Sequence, residues 1–143
     1  MNPEDIRQLV RGRIEQAVES LADAKTLLTT GRSGRSVVNR SYYSMFYCVL
    51  ALLQTINKTP RKHQGAVSFF DREFVHGGLL PKELSFDLHR IFELRQVDDY
   101  QKIEPVSLDE AQDAIAVAER FLTAVRNHLT TGGYLSQESH RLG

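Results

Sequence analysis

Apolar residues recur at steps of three and four positions along most of this chain, a spacing typical of helices that bury one face. In the first segment, residues 4–29, the apolar stripe is continuous, and Gly31 follows it where a left-handed residue often ends a helix. The spacing predicts five helices: 4–29, Ser36 or its neighbour to Ile56, about 61–75, about Pro81 to Asp98, and Ser107 to about Thr131.

The segment from Arg40 to Ile56 differs from the others because it has no charged residue after Arg40, no glycine and no proline. As a helix it presents two rows of apolar or weakly polar side chains, so we expect it to be central, with neighbours on more than one side. Ser, Tyr and Gln interrupt the run of about 18–20 apolar residues that a membrane span needs, so we expect no membrane association. The first row is Tyr42, Met45, Phe46, Val49, Leu53 and Ile56, and the second is Arg40, Tyr43, Tyr47, Ala51 and Gln54.

The turn and capping residues in the rest of the chain favour short connections between helices. Ser107 and Glu110 form the Ser-x-x-Glu pattern of a capping box, and the chain shows neither strand-like alternation nor an internal repeat. Four long helices and one short helix joined by short loops predict an all-α, antiparallel up-and-down bundle. We expect one bundle domain over residues 1–131 and a flexible C-terminal tail over residues 132–143.

Composition narrows the class of protein only slightly. The 143 residues have a formal net charge of zero, which gives no overall attraction to nucleic acid. The single cysteine, Cys48, rules out an internal disulfide, and in an apolar helix it is expected to be an inert core thiol. The N-terminal residues do not resemble a signal peptide, so a cytoplasmic location is predicted.

The neutral total hides a segregation of charge. Residues 24–70 contain seven Lys or Arg and no acidic residue, whereas residues 71–119 contain twelve acidic and five basic residues. Two interpretations are open. Oppositely charged helices could complement one another, within the chain or across a dimer, or a basic rim could meet phosphate.

Arg95 is the first candidate for chemistry, because it falls on the same helical stripe as Leu84, Leu88 and Ile91. An arginine on an apolar stripe needs partners. It could form an ion pair with Asp98 or Asp99 at the end of the helix, or it could face a cleft and bind phosphate.

Other reactive residue types give weaker signals. The five histidines and the cysteine show no metal-ligand spacing, so neither a metal nor a cofactor is expected. His63 follows Arg61 and Lys62 and could join an anion site. The aromatic residues of the central segment could stack on bases, although their helical spacing is also typical of a core.

Four blocks of sequence, in this order, resemble HEPN-domain proteins (higher eukaryotes and prokaryotes nucleotide-binding), particularly their small stand-alone prokaryotic branch. The resemblance covers roughly residues 5–130, and its blocks are Asn39–Tyr47, Lys62–Phe70, Glu73–Leu84 and Phe92–Tyr100. It implies an antiparallel helical bundle that forms a homodimer with a cleft between subunits. It also implies a possible partner, a minimal nucleotidyltransferase, in a toxin–antitoxin or defence setting.

The resemblance further implies which residues form the site. Catalytic HEPN members are metal-independent endoribonucleases whose motif is an arginine, a polar residue and, a few positions later, a histidine. Arg95 and Gln96 match the first two positions, and Tyr100 occupies the place of the histidine. A histidine, with a pKa near 6.5, shuttles protons at pH 7 far better than a tyrosine with a pKa near 10, so cleavage is expected to be weakened.

The sequence therefore predicts an RNA- or nucleotide-binding site, with Arg95 and Tyr100 as candidate catalytic residues. Two other functions stay open: an active metal-independent endoribonuclease toxin, and a non-catalytic protein-interaction module. The predicted binding residues are Arg40, Lys62, His63, Arg95, Gln96 and Tyr100.

Overall fold

The computed structural model describes residues 1–96 and 106–137, and this part of the chain is helical with no strand. The predicted all-α bundle of four long helices and one short helix is confirmed. A π-helical segment, Asp71–Val75, continues the short helix α3. The five α-helices are α1 Pro3–Thr29, α2 Gly34–Thr55, α3 His63–Phe70, α4 Lys82–Gln96 and α5 Leu108–Thr131.

The helix ends agree with most of the sequence signals. Gly31 has a φ of 75° just after α1, as predicted. The capping box before α5 is present, since Ser107 Oγ accepts from the Glu110 N–H and the Glu110 carboxylate accepts from the Ser107 N–H, both at 3.0 Å. The predicted start of α2, at Ser36 or its neighbour, was one or two residues late, because the helix begins at Gly34. Ser33 is the N-cap, because its hydroxyl accepts the Ser36 N–H at 3.3 Å.

Helix α2 is the central helix, as the two rows of the sequence indicate. It contacts α1, α3, α4 and α5. Of the predicted first row, Phe46 is only half-buried and Ile56 is exposed. The buried residues of α2 lie on several sides of the helix: Val37, Val38, Ser41, Tyr42, Ser44, Met45, Cys48, Val49, Ala51, Leu52 and Leu53.

Two serines join α1 and α2 across their contact. Ser20 Oγ of α1 donates to the Arg40 carbonyl of α2 at 2.8 Å, and Ser44 Oγ of α2 donates to the Ala17 carbonyl of α1 at 2.7 Å. Side chains this small allow two backbones to approach closely. Cys48 is fully buried on α2, and burial raises the pKa of its thiol, so it is an inert core residue.

The first residues after α5 pack on the bundle. Leu135 is buried and Tyr134 is half-buried, although the sequence places both in a flexible tail. Their apolar side chains join the core after Gly133 turns the chain with a φ of 85°. Residues 138–143 of the predicted tail lie outside the described residues. None of the described helices is long and apolar enough to cross a membrane.

Two helical glycines should respond in opposite directions to a methyl group. A Cβ on Gly34 would lie 2.7 Å from the Val106 carbonyl oxygen, where α2 meets the chain entering α5, whereas a Cβ on Gly12 would meet nothing within 4 Å. We expect Gly34→Ala to lower the free energy of unfolding by about 1–3 kcal/mol through overpacking. Gly12→Ala should raise it by about 0.5–1 kcal/mol through helix propensity.

Urea denaturation followed by circular dichroism measures both effects, and each variant serves as the control for the other. A Gly34→Ala protein as stable as the wild type would contradict the close approach of residue 106 to α2.

Candidate functional site

Arg95 lies in the last turn of α4 and packs against two tyrosines of α2. Its guanidinium carbon is 4.9 Å from the centre of the Tyr42 ring and 5.2 Å from that of the Tyr43 ring. One of its terminal nitrogens donates to the Tyr43 hydroxyl at 3.2 Å. Cation–π contacts and a hydrogen bond therefore hold the guanidinium in one orientation at the surface of α2.

Arg95 has no carboxylate partner among the described residues. Its Nε is buried and unpaired within the same part of the chain, and the side chain as a whole is half-buried. The predicted ion-pair partners, Asp98 and Asp99, lie outside the described residues. A guanidinium has five N–H donors, so most of them are not used by the contacts seen here.

His63 begins α3 and faces the same pair of tyrosines. Its Nδ1 is 2.8 Å from the Tyr42 hydroxyl, and its ring stacks on Phe46 with the ring centres 4.0 Å apart and the planes 10° apart. Its ring also meets Tyr43 edge-on at 5.6 Å. Burial, and secondarily the positive charge of Arg95, lowers the pKa of His63 below its ordinary value of 6.5. The imidazole is therefore neutral at pH 7.

Arg40 is the second arginine on the Tyr43 ring. Its guanidinium carbon lies 5.0 Å from the ring centre, and a terminal nitrogen donates to the Asn39 side chain at 3.1 Å. Arg40 also lines a small polar cavity of about 140 Å³ whose other residues include Glu19 and Asp23. Carboxylates therefore lie near Arg40, whereas none among the described residues pairs with Arg95.

The predicted site residues are thus partly brought together. Arg40, His63 and Arg95 converge on Tyr43, although they come from α2, α3 and α4. Lys62 is exposed next to His63, and Gln96 is exposed next to Arg95. Tyr100, the remaining predicted site residue, lies outside the described residues.

Sequence reasoning missed the organising role of Tyr42 and Tyr43. It treated them as core residues that could also stack on bases, and Tyr42 is indeed fully buried. Their contacts to His63 and Arg95 span 21 and 52 positions of sequence, so no local spacing shows them. The available signal was the unusual density of aromatic residues on a central helix.

A larger cavity of about 880 Å³ lies on another part of the surface, between α4 and the π-helical segment, and none of the predicted site residues lines it. Near it the Asp71 carboxylate accepts from Ser85 Oγ at 2.6 Å and lies 2.6 Å from His89 Nε2. Serine and histidine both contact the carboxylate rather than each other, so this is not a nucleophile–base pair. No group of three potential metal ligands lies together within residues 1–96 and 106–137.

Comparison with known sequences identifies the family. The HEPN domain profile matches residues 10–128. The chain belongs to the HEPN family. The matched region contains every element that builds the Tyr42–Tyr43 site, from α2 to the end of α4.

Three relatives cover most of this HEPN chain. A protein named "UPF0332 protein" from Thermotoga maritima is 42% identical over 110 residues, 77% of this chain and 83% of the relative. Two proteins from Methanocaldococcus jannaschii carry the name "Putative toxin". One is 34% identical over 87% of this chain and 92% of its own length, and the other is 33% identical over 88% and 85%.

The pKa of His63 offers a test of the site geometry. Because the positive charge of Arg95 helps to lower this pKa, Arg95→Ala should move the titration midpoint of His63 upward, toward 6.5. Arg90→Ala, on the outer face of α4 where Arg90 pairs with Asp113, should leave it unchanged. Histidine proton shifts followed by NMR over the acidic range measure the midpoint.

An unchanged midpoint in Arg95→Ala would mean that the two groups do not share the site.

The lowered pKa of His63 also affects the stability of the wild-type protein. Because the unfolded chain binds a proton at His63 more readily than the folded chain, stability should fall as the pH drops below 6.5.

Proposed function

We propose that this HEPN protein binds RNA or a nucleotide through phosphate contacts centred on Arg95. The observation that carries the proposal is the guanidinium of Arg95, fixed on two tyrosine rings and paired with no carboxylate among the described residues. A planar guanidinium held in one orientation suits bidentate contact with a phosphate group.

The surroundings of Arg95 support an anionic ligand. Arg40 and Arg95 both contact the Tyr43 ring, so two guanidinium groups contribute to the positive potential around that side chain. Arg61 and Lys62 are exposed just before α3, in the segment 24–70 that has no acidic residue. Gln96 adds an exposed amide beside Arg95.

The aromatic side chains favour a nucleic acid or a nucleotide over a simple anion. Tyr43, Phe46 and Tyr47 are each half-buried on α2, and Tyr43 contacts both Arg40 and Arg95. Aromatic faces next to a basic groove are the usual platform for stacking unpaired bases. The proposed ligand is therefore single-stranded RNA or a nucleotide, with phosphate on Arg95 and a base near the rings.

Replacing Arg95 tests the proposal. Arg95→Ala should weaken binding of a fluorescent single-stranded RNA by roughly 10- to 100-fold, the effect of losing a charge-assisted pair. Arg95→Lys should recover only part of that loss, since lysine keeps the charge but not the planar fork. Fluorescence anisotropy at a fixed salt concentration measures the affinity.

Arg90→Ala is the matched control, because Arg90 lies on the same helix but pairs with Asp87 and Asp113. It should bind as the wild type does. If Arg95→Ala bound RNA normally and instead melted at a much lower temperature, Arg95 would be structural. The alternative of a non-catalytic protein-interaction module would then be favoured.

We also propose the biological setting. Two relatives that carry the name "Putative toxin", together with the family membership, support a toxin of a toxin–antitoxin or defence pair. The resemblance of the sequence blocks to HEPN proteins encoded beside a minimal nucleotidyltransferase suggests that partner as the antitoxin. A homodimer with a cleft between subunits, in the cytoplasm, completes the proposed assembly.

Co-expression tests this setting. The chain alone should slow bacterial growth, and a nucleotidyltransferase encoded beside its gene should restore growth and co-purify with it. Arg95→Ala should remove the growth effect without preventing co-purification. Light scattering of the isolated chain should give the mass of two copies. A monomer that has no effect on growth would contradict both the assembly and the toxin role.

A further inference from the structure

His63 has the surroundings of a proton-transfer group rather than those of a simple anion ligand. It lies at the first turn of α3, half-buried, with one face on Phe46 and Nδ1 at the Tyr42 hydroxyl. Its other nitrogen, Nε2, has no hydrogen-bond partner among the described residues. These contacts hold the ring by one face and by Nδ1, and Nε2 takes no part in them.

Arg95 and His63 present complementary chemistry at one place. Both contact Tyr42 and Tyr43, the arginine through its guanidinium and the histidine through its ring. A phosphodiester bound to Arg95 would therefore lie beside an imidazole. A cation that stabilises charge on phosphate oxygens and a group that moves a proton both accelerate cleavage of RNA by its own 2′-hydroxyl, and neither contribution needs a metal.

We propose that His63 is the proton-transfer residue of this site and that the protein cleaves RNA with it. This inference rests on the proposed binding of RNA at Arg95. Tyr100, the candidate suggested by sequence, is by its chemistry a poor base at neutral pH, since an ordinary phenol ionises near pH 10. The imidazole supplies what that position lacks.

The reaction balances within the RNA itself. In the active tautomer Nδ1–H donates to the Tyr42 hydroxyl oxygen, and Nε2 accepts the proton of the 2′-hydroxyl. The 2′ oxygen forms a bond to phosphorus, the bond from phosphorus to the 5′ oxygen breaks, and Nε2 returns the proton to that oxygen. The products are a 2′,3′-cyclic phosphate and a 5′-hydroxyl. Arg95 stabilises the negative charge on the non-bridging oxygens.

The charged groups around His63 set its pH dependence. Arg95 of α4 faces it together with the phenols of Tyr42 and Tyr43 from α2, and Arg61 and Lys62 precede it in the chain. Burial and Arg95 both lower the pKa of His63. The neutral, proton-accepting form therefore dominates at pH 7, and activity should fall as pH drops below 6.5.

The test is cleavage of a labelled single-stranded RNA by the full chain in EDTA, with RNA binding measured in parallel. His63→Ala should lose roughly 10²- to 10⁴-fold in cleavage rate, the usual contribution of general acid–base catalysis, while RNA affinity changes little. Added imidazole should restore part of the rate to His63→Ala. An oligonucleotide of the same sequence in DNA should remain intact.

His128→Ala is the matched control. His128 is also partly buried with a lowered pKa and lies edge-on to Phe74 at 6.0 Å, but it is on α5. It should cleave as the wild type does, and identical purification makes it a control for contaminating nuclease.

The outcomes separate this inference from the proposed function. A wild-type protein that binds RNA without cutting it would overturn the role of His63 and leave the binding function intact. A wild-type protein that does not bind RNA would overturn both. Equal cleavage by His63→Ala would also overturn the inference. If His63→Ala does not fold, the wild-type profile decides: a rate that does not rise through a pKa below 6.5 excludes His63.

Discussion

The contact of α2 with the other four α-helices is the constraint on which the rest of this structure depends. A helix surrounded on several sides must exclude charge over most of its length, and α2 does so from Ser41 to its end at Thr55. Ser20 and Ser44 bring α1 close on one side through side chain to backbone hydrogen bonds. Helices α3 and α4 pack on other sides of α2. The first turn of α3 and the last turn of α4 therefore lie against it.

The position of the site follows from this packing of α3 and α4 on α2. The first turn of α3 and the last turn of α4 meet α2 at the same two tyrosines. Polar groups there remain half-buried, so each contact has more electrostatic effect than it would in open water. The guanidinium of Arg95 gains orientation from the rings, and the imidazole of His63 gains a hydrogen bond to a phenol that burial keeps protonated.

The chain belongs to the HEPN family, and two of its relatives carry the name "Putative toxin". In this HEPN chain an arginine and a neutral imidazole share one aromatic surface. Most of this surface comes from residues 24–70, which contain seven Lys or Arg and no acidic residue. Neutral net charge is therefore compatible with a locally cationic site.

The sequence by itself determined the helices and much of their arrangement. Three signals each depend on residues only a few positions apart, so they can be read directly from the sequence. They are the apolar period, Gly31 after α1 and the Ser107–Glu110 capping box. It also marked Arg95 by its place on an apolar stripe, and marked α2 as central by its lack of charge. It placed the start of α2 at Ser36 or its neighbour, slightly late, because Ser33 caps the helix and Gly34 begins it.

Only the tertiary structure decided which side chains Arg95 and His63 contact. The packing of α3 and α4 on α2 sets the meeting of His63 with Tyr42, of Arg95 with Tyr43, and of Arg40 with that same ring. A helical period relates residues three or four positions apart, whereas these contacts depend on how whole helices are rotated and positioned against one another. That is why the individual residues could be nominated from sequence while their convergence could not.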